Sequence, residues 1–156
     1  MSSIPASSQR SRITPLVIRS AVVAAIGGLI FGFDTAVISG ATDTLKDVFH
    51  LSEFGKGFLV AIATIGTIFG AIIGGRLADV YGRRKVLFAI GILYVLGSLG
   101  TAFAPTHLFL LVFRMIGGIG VGMSSVCAPI YTAEIAPAAV RGRLVGLVQF
   151  NIVLGI

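Results

Sequence analysis

Four long apolar runs constrain this chain more than any other feature. They cover Ser20 to Ala41, Gly57 to Gly75, Val86 to Ala104 and Leu108 to Tyr131. Each is long enough to cross a bilayer as a helix, which takes about 20 residues. A fifth run, Leu144 to Ile156, is too short to span and is read as a helix cut off midway, so the 156 residues are expected to be a piece of a longer protein or a truncated gene model. A chain of this pattern is an all-α membrane protein, because lipid leaves backbone polar groups to be satisfied within each segment. Composition agrees. Hydrophobic residues make up 56% and charged residues 12%, with 21 glycines and no tryptophan. A net charge of +6 is also met in nucleic-acid binders, but the basic residues cluster in short connections between apolar runs, which is the pattern of membrane topology.

Residues 1–19 form a separate tail, Ser-rich with Arg10, Arg12 and Arg19, and much of it is expected to be disordered. The first apolar run is too long for a signal-peptide core and lacks a cleavage site after it. Three basic residues lie in the tail. Arg76, Arg83, Arg84 and Lys85 lie between spans two and three, and Arg141 and Arg143 follow span four. The other two connections hold only Lys46 and Lys56, among Asp43, Asp47 and Glu53. The positive-inside rule places the N-terminus in the cytoplasm.

Small residues recur every fourth position: Gly28 and Gly32, then Gly66, Gly70 and Gly74, then Gly118 and Gly122. Such stripes let membrane helices approach closely, and plain packing explains them better than ligand contact. "GGIGVG" (117–122) is not a dinucleotide fingerprint, since its third glycine is misplaced and no strand precedes it. Cys127, the single cysteine, excludes an internal disulfide. No metal-ligand cluster, nucleophile constellation or nucleotide loop is visible, so an enzyme is not expected.

Within the complete spans only Asp34 and Arg114 carry a charge. Both fall roughly 10 Å below the same membrane surface at 1.5 Å per residue. An unpaired charge there costs at least ~2.5 kcal/mol. One reading is a static ion pair that fixes helix packing. The other is a proton site: burial favours the neutral carboxyl, a neighbouring guanidinium favours the ionised one, and arginine itself stays charged. At the basic end, Asp79 lies close in sequence to Arg76 and Arg83 between Gly75 and Gly82, and Glu134 with Arg141 follows span four. These charges can latch helix ends in one conformation, or merely form a solvated, topology-setting face. For Arg84 and Lys85 the solvated face is the better reading.

The stretches "GGLIFGFDTAVISGA" (27–41), "GGRLADVYGRRKV" (74–86), "FRMIGGIGVGMSSVCAPIYTAEIAPAAVRGRL" (113–144) and "QFNIVLGI" (149–156) together resemble the sugar porter family of the major facilitator superfamily, and its bacterial proton-coupled symporters above all. The likeness covers about residues 20–156. The glycine-and-basic motif marks the superfamily, while Glu134, Pro137, Arg141 and Gly142 match a pattern more specific to sugar porters. The resemblance implies a major facilitator fold of twelve helices, of which this chain holds an incomplete N-terminal six-helix half: four complete spans and part of a fifth.

It also implies sugar–proton symport by alternating access in the bacterial inner membrane, with a monosaccharide as cargo, the proton as coupling ion and no other cofactor. Asp34 would be the protonation site and Arg114 its partner. Gln149 matches a sugar-binding glutamine and Phe31 an aromatic near the cavity. Gly75, Arg76, Asp79, Gly82, Arg83, Arg84, Glu134 and Arg141 match the cytoplasmic gating network. Val80 departs from the pattern, since many members carry a basic residue there. Without the resemblance Gln149 is equally an amide bonded to a neighbouring helix. A proton-independent facilitator and a non-transporting sugar sensor of the same fold are the alternatives. An acid at position 34 disfavours the first and the short N-terminal tail the second.

Overall fold

In a computed structural model, residues 15–156 are described, and they form five helices: α1 (Pro15–Val48), α2 (Glu53–Tyr81), α3 (Arg83–Ala102), α4 (His107–Ile135) and α5 (Arg141–Gly155). The expectation for residues 1–14 lies outside the described residues, but Pro15 to Arg19 already belong to α1. Proline is well suited to open a helix, because its missing N–H would be unpaired there anyway. Four helices, α1 to α4, are long and apolar enough to cross a membrane. α5, with 15 residues, reaches about 22 Å, short of a ~30 Å hydrocarbon core.

The helices outrun the apolar runs because polar caps, not hydropathy, end them. Ser52 accepts a hydrogen bond from Gly55 N at 3.2 Å, so α2 starts at Glu53, ahead of its apolar run. Thr106 does the same for Phe109 N at 3.3 Å and opens α4. α1 closes where Leu51 N donates to Lys46 O and His50 N to Asp47 O, with His50 at φ 51, a closure usually made by glycine. α3 stops at Ala102, two residues inside the run that predicted it, where the Phe103 N–H closes onto Leu99 O. Between α2 and α3 a single residue turns the chain: Gly82, at φ 87 and ψ 140.

α4 is the shared wall of the bundle. It packs along α2 on one side and α3 on another, while α5 returns to lie on α1. The glycine stripes form the α2–α4 seam. A Cβ on Gly66 would stand 2.5 Å from Met115 O, and one on Gly74 would stand 2.8 Å from Met123 Cα. Reciprocally, Cβ atoms on Gly118 and Gly122 would strike the carbonyls of Ala63 and Thr67. The two stripes therefore face each other and bring backbone against backbone, the packing that association in lipid requires. In the same way Gly32 of α1 meets Gly155 of α5. Toward the basic end, Ala78, Val86, Ile90, Met123 and Cys127 form a buried cluster among α2, α3 and α4. The outward faces keep large apolar side chains such as Val23, Ile68, Phe88 and Val95 exposed, as a lipid-facing surface would.

Candidate functional site

Arg114 sits on the second turn of α4, and α2 covers it. It is 6% exposed. Its Nε donates to Leu59 O at 3.2 Å, and Leu59 is itself fully buried. A guanidinium has five N–H donors, so this bond leaves most of them free to face elsewhere. They face a cavity of about 50 Å³. Asp34 of α1 lines the same cavity, together with Thr67 of α2, Tyr94, Ser98 and Thr101 of α3, and Phe113 of α4. The space admits a water or two. It is well below the ~300 Å³ at which small-molecule pockets begin.

Asp34 and Arg114 thus share one cavity, but they do not form an ion pair. Four pairs with N···O of 4.0 Å or less occur among the described residues, and Asp34 is in none of them. Asp34 is exposed where Arg114 is buried, and the field of Asp34 still reaches the guanidinium. The arrangement is an exposed carboxylate sharing a cavity with a cation anchored on a backbone carbonyl. The static, closed ion pair considered from the sequence is therefore not the state of this structure.

At the basic end the residues expected to gate divide. Arg83, the first residue of α3, places Nη1 2.9 Å from Asp79 Oδ1 and Nε 2.8 Å from Glu134 Oε1. Nη1 also donates to Ala78 O at 3.3 Å. One guanidinium thereby ties the end of α2 to the end of α4. Arg141 does not join them: it is exposed and its Nη2 reaches only Ala136 O, at 3.5 Å. Arg76 and Arg84 are exposed and form no ion pair among the described residues. Gly75 and Gly82 serve the chain path, Gly75 against Val126 and Gly82 in the turn.

The two sugar-site candidates stand apart from the cavity. Gln149 is exposed on α5, and Phe31 is half-buried on α1 three residues before Asp34; neither lines the space between Asp34 and Arg114. The hydroxyl residues Tyr94, Ser98 and Thr101 line it without having been singled out from the sequence. Their spacing of four and then three, along one helical face, was the available signal. The Leu59 carbonyl carried no sequence signal, because every residue has one.

Residues 20–156 match the profile of a family described as sugar (and other) transporter. The arabinose-proton symporter of Bacillus subtilis (strain 168) is 41% identical over 147 residues, which is 94% of this chain and 32% of that protein. The D-xylose-proton symporter of Escherichia coli (strain K12) is 40% identical over 160 residues, 86% of this chain and 33% of that protein. Among solved structures, the inward open conformation of the xylose transporter XylE from E. coli superposes with a TM-score of 0.82 at 39% identity, covering 89% of this chain and 37% of that one. The chain spans about a third of the length of the relatives it matches. Its helices correspond to the major facilitator fold, as expected.

Proposed function

Since the chain belongs to the sugar (and other) transporter family, we propose that it is the first part of a sugar–proton symporter of the inner membrane. Its N-terminus lies in the cytoplasm, and Asp34 is the residue that takes up and releases the coupling proton. The observation that carries this reading is the shared cavity: an exposed carboxylate and a buried guanidinium line one space large enough for water. The guanidinium of Arg114 attracts the Asp34 carboxylate, and a proton on Asp34 removes that charge and lets the two part. Coupling follows if the sugar-loaded helices can rearrange only with that attraction relieved.

The substrate site needs the rest of the transporter. Sites in such proteins lie between repeats near the midplane, and alternating access rocks one half against the other. Gln149, on the open face of α5, supplies both a donor and an acceptor to a neutral polyol, and Phe31 an aromatic face near it. The Asp79–Arg83–Glu134 cluster steadies the cytoplasmic ends of α2, α3 and α4 in one of the two access states. The names of the relatives, arabinose-proton and D-xylose-proton symporters, support a monosaccharide with proton coupling.

The test is Asp34→Asn in the full-length protein, assayed in energised vesicles. Uphill sugar accumulation driven by a pH gradient should vanish, while sugar counterflow, which needs no net proton movement, should persist. Accumulation by the Asn variant under an imposed gradient would remove Asp34 from the coupling role.

A further inference from the structure

α3 reads as a packing helix in the sequence, yet one of its faces is polar. Tyr94, Ser98 and Thr101 fall at i, i+4 and i+7, on one side of the helix. All three line the cavity that holds Asp34 and Arg114. Thr101 is the penultimate residue of α3, at the end of the bundle opposite the basic cluster. Tyr94 lies seven residues deeper, roughly 10 Å at 1.5 Å per residue. The stripe therefore runs from a helix end to the depth of the buried charges.

Several hydroxyls elsewhere in the bundle bond to their own backbone. Thr35 donates to Phe31 O at 3.0 Å, Ser39 to Thr35 O at 2.8 Å and Thr67 to Ala63 O at 2.9 Å, so each folds back on its own helix. Among the described residues, Ser98 and Thr101 make no such backbone bond, and both line the cavity. The Tyr94 hydroxyl lies deepest, beside Ser124 and within the field of Asp34. Gly97, next to Ser98, meets Gly117 of α4 backbone to backbone, and both line the cavity. A hydroxyl left free in an apolar bundle costs free energy unless water completes it. A space of about 50 Å³ lined by Tyr94, Ser98, Thr101 and a carboxylate suits water.

We infer that the Tyr94–Ser98–Thr101 face of α3 holds a thread of water that joins Asp34 to the membrane surface at the α3–α4 connection, separate from the route the sugar takes. The inference rests on the proton role of Asp34 and adds the path by which the proton arrives. A hydronium entering beside Thr101 passes its proton along the water thread. The last water gives it to the Asp34 carboxylate, leaving neutral water and a carboxylic acid. The hydroxyls hold the waters in line and are unchanged at the end.

Two arms test this in the full-length transporter. In the first, Ser98 and Thr101 are each replaced by cysteine, with Val95→Cys and Leu99→Cys as controls on the apolar faces of α3, which are 57% and 52% exposed. A cationic, membrane-impermeant methanethiosulfonate is added outside intact cells. Its target is the thiolate, which forms only where water reaches. Ser98→Cys and Thr101→Cys should label at least tenfold faster than the two controls; the parent protein, with Cys127 fully buried, sets the background. Equal labelling at all four sites, no labelling at any, or access only from the cytoplasmic side would overturn the path. In the second arm, Ser98→Ala with Thr101→Val should slow gradient-driven accumulation about tenfold and leave counterflow at the parental rate. Full-rate accumulation in this variant, alongside its loss in Asp34→Asn, would sink the path and leave the coupling site standing. If Asp34→Asn still accumulates sugar, the coupling reading itself fails, and the labelling result alone decides whether the face is wet.

Discussion

Arg114 holds the main-chain carbonyl of Leu59 through Nε at 3.2 Å, so a charged side chain of α4 is fastened to the backbone of α2 rather than to an acid. Its orientation is then independent of whether Asp34 is ionised. A guanidinium suits this task because one N–H can be committed while the fork stays directed elsewhere. Lysine has a single nitrogen and must choose. Arg114→Lys is expected to fold, as judged by detergent-solubilised yield and a monodisperse elution peak. It should nonetheless lose at least about tenfold in proton-driven uptake, ~1.4 kcal/mol in the barrier. Uptake at the parental rate would show that the point charge suffices.

The α2–α4 seam predicts sharply different outcomes at different glycines. Gly118→Ala and Gly122→Ala would drive a methyl into the backbone carbonyls of Ala63 and Thr67, which cannot swing aside. Each should destabilise the bundle by ~1–3 kcal/mol or more, the range for overpacked cores. Gly57→Ala and Gly146→Ala meet nothing within 4 Å. Those should be neutral or stabilising by up to ~1 kcal/mol, because alanine restricts the helix less favourable alternatives of glycine. Thermal or denaturant unfolding in micelles ranks the four.

Gly82 has open space where a Cβ would go, so its constraint is purely conformational. At φ 87 and ψ 140 it lies outside the left-handed helical region that asparagine tolerates. Gly82→Ala should cost ~1–3 kcal/mol, the range for strained backbone, and Gly82→Asn should recover none of it. Recovery by asparagine would mean that the turn relaxes into an ordinary left-handed geometry.

Arg83 bridges two carboxylates on different helices, and both are substantially exposed, Asp79 at 70% and Glu134 at 46%. Exposed pairs are worth ~0.2–1 kcal/mol each, so stability is a poor readout. A double-mutant cycle of Arg83→Ala with Glu134→Gln should give a coupling energy under ~1 kcal/mol by unfolding. The same cycle read by transport should show a larger effect, since a shift of ~1.4 kcal/mol between access states changes their ratio tenfold. Equal small effects in both readouts would make the cluster a solvated helix end.

Much of this was legible from the residues. The four spans stood out because lipid enforces long apolar runs, and the glycine stripes did because close approach leaves a period-four mark. Asp34 and Arg114 were conspicuous as charges where charges are costly, and their matching depths placed them on one cavity. Three things were not legible. The first extra turn of α2 comes from the Ser52 cap, and α4 runs on to Ile135, where the Ala136 N–H closes onto Thr132 O; both act through backbone groups rather than through hydropathy. The division of the basic cluster, with Arg83 inside and Arg141 outside, depends on where the turn after Ala136 sends the chain. The hydroxyl face of α3 stayed hidden because isolated serine and threonine residues are common in membrane helices, and only the cavity gives these a shared direction.

One consequence follows from α4 carrying Arg114 near one end and Glu134 near the other. Twenty residues separate them, about 30 Å of helix. Gly118 and Gly122 clamp the first part of that length backbone to backbone on α2, but Pro129 lies between the clamp and Glu134 and removes a helical hydrogen bond there, so α4 can bend at that point. A tilt of about 5° pivoting at Arg114 would carry Glu134 through roughly 2.5 Å over that length. That is comparable to the 2.8 Å reach of the Arg83–Glu134 pair. Pro129 is the joint in this lever arm, and how far it yields sets how much of the throw reaches the Arg83–Glu134 contact.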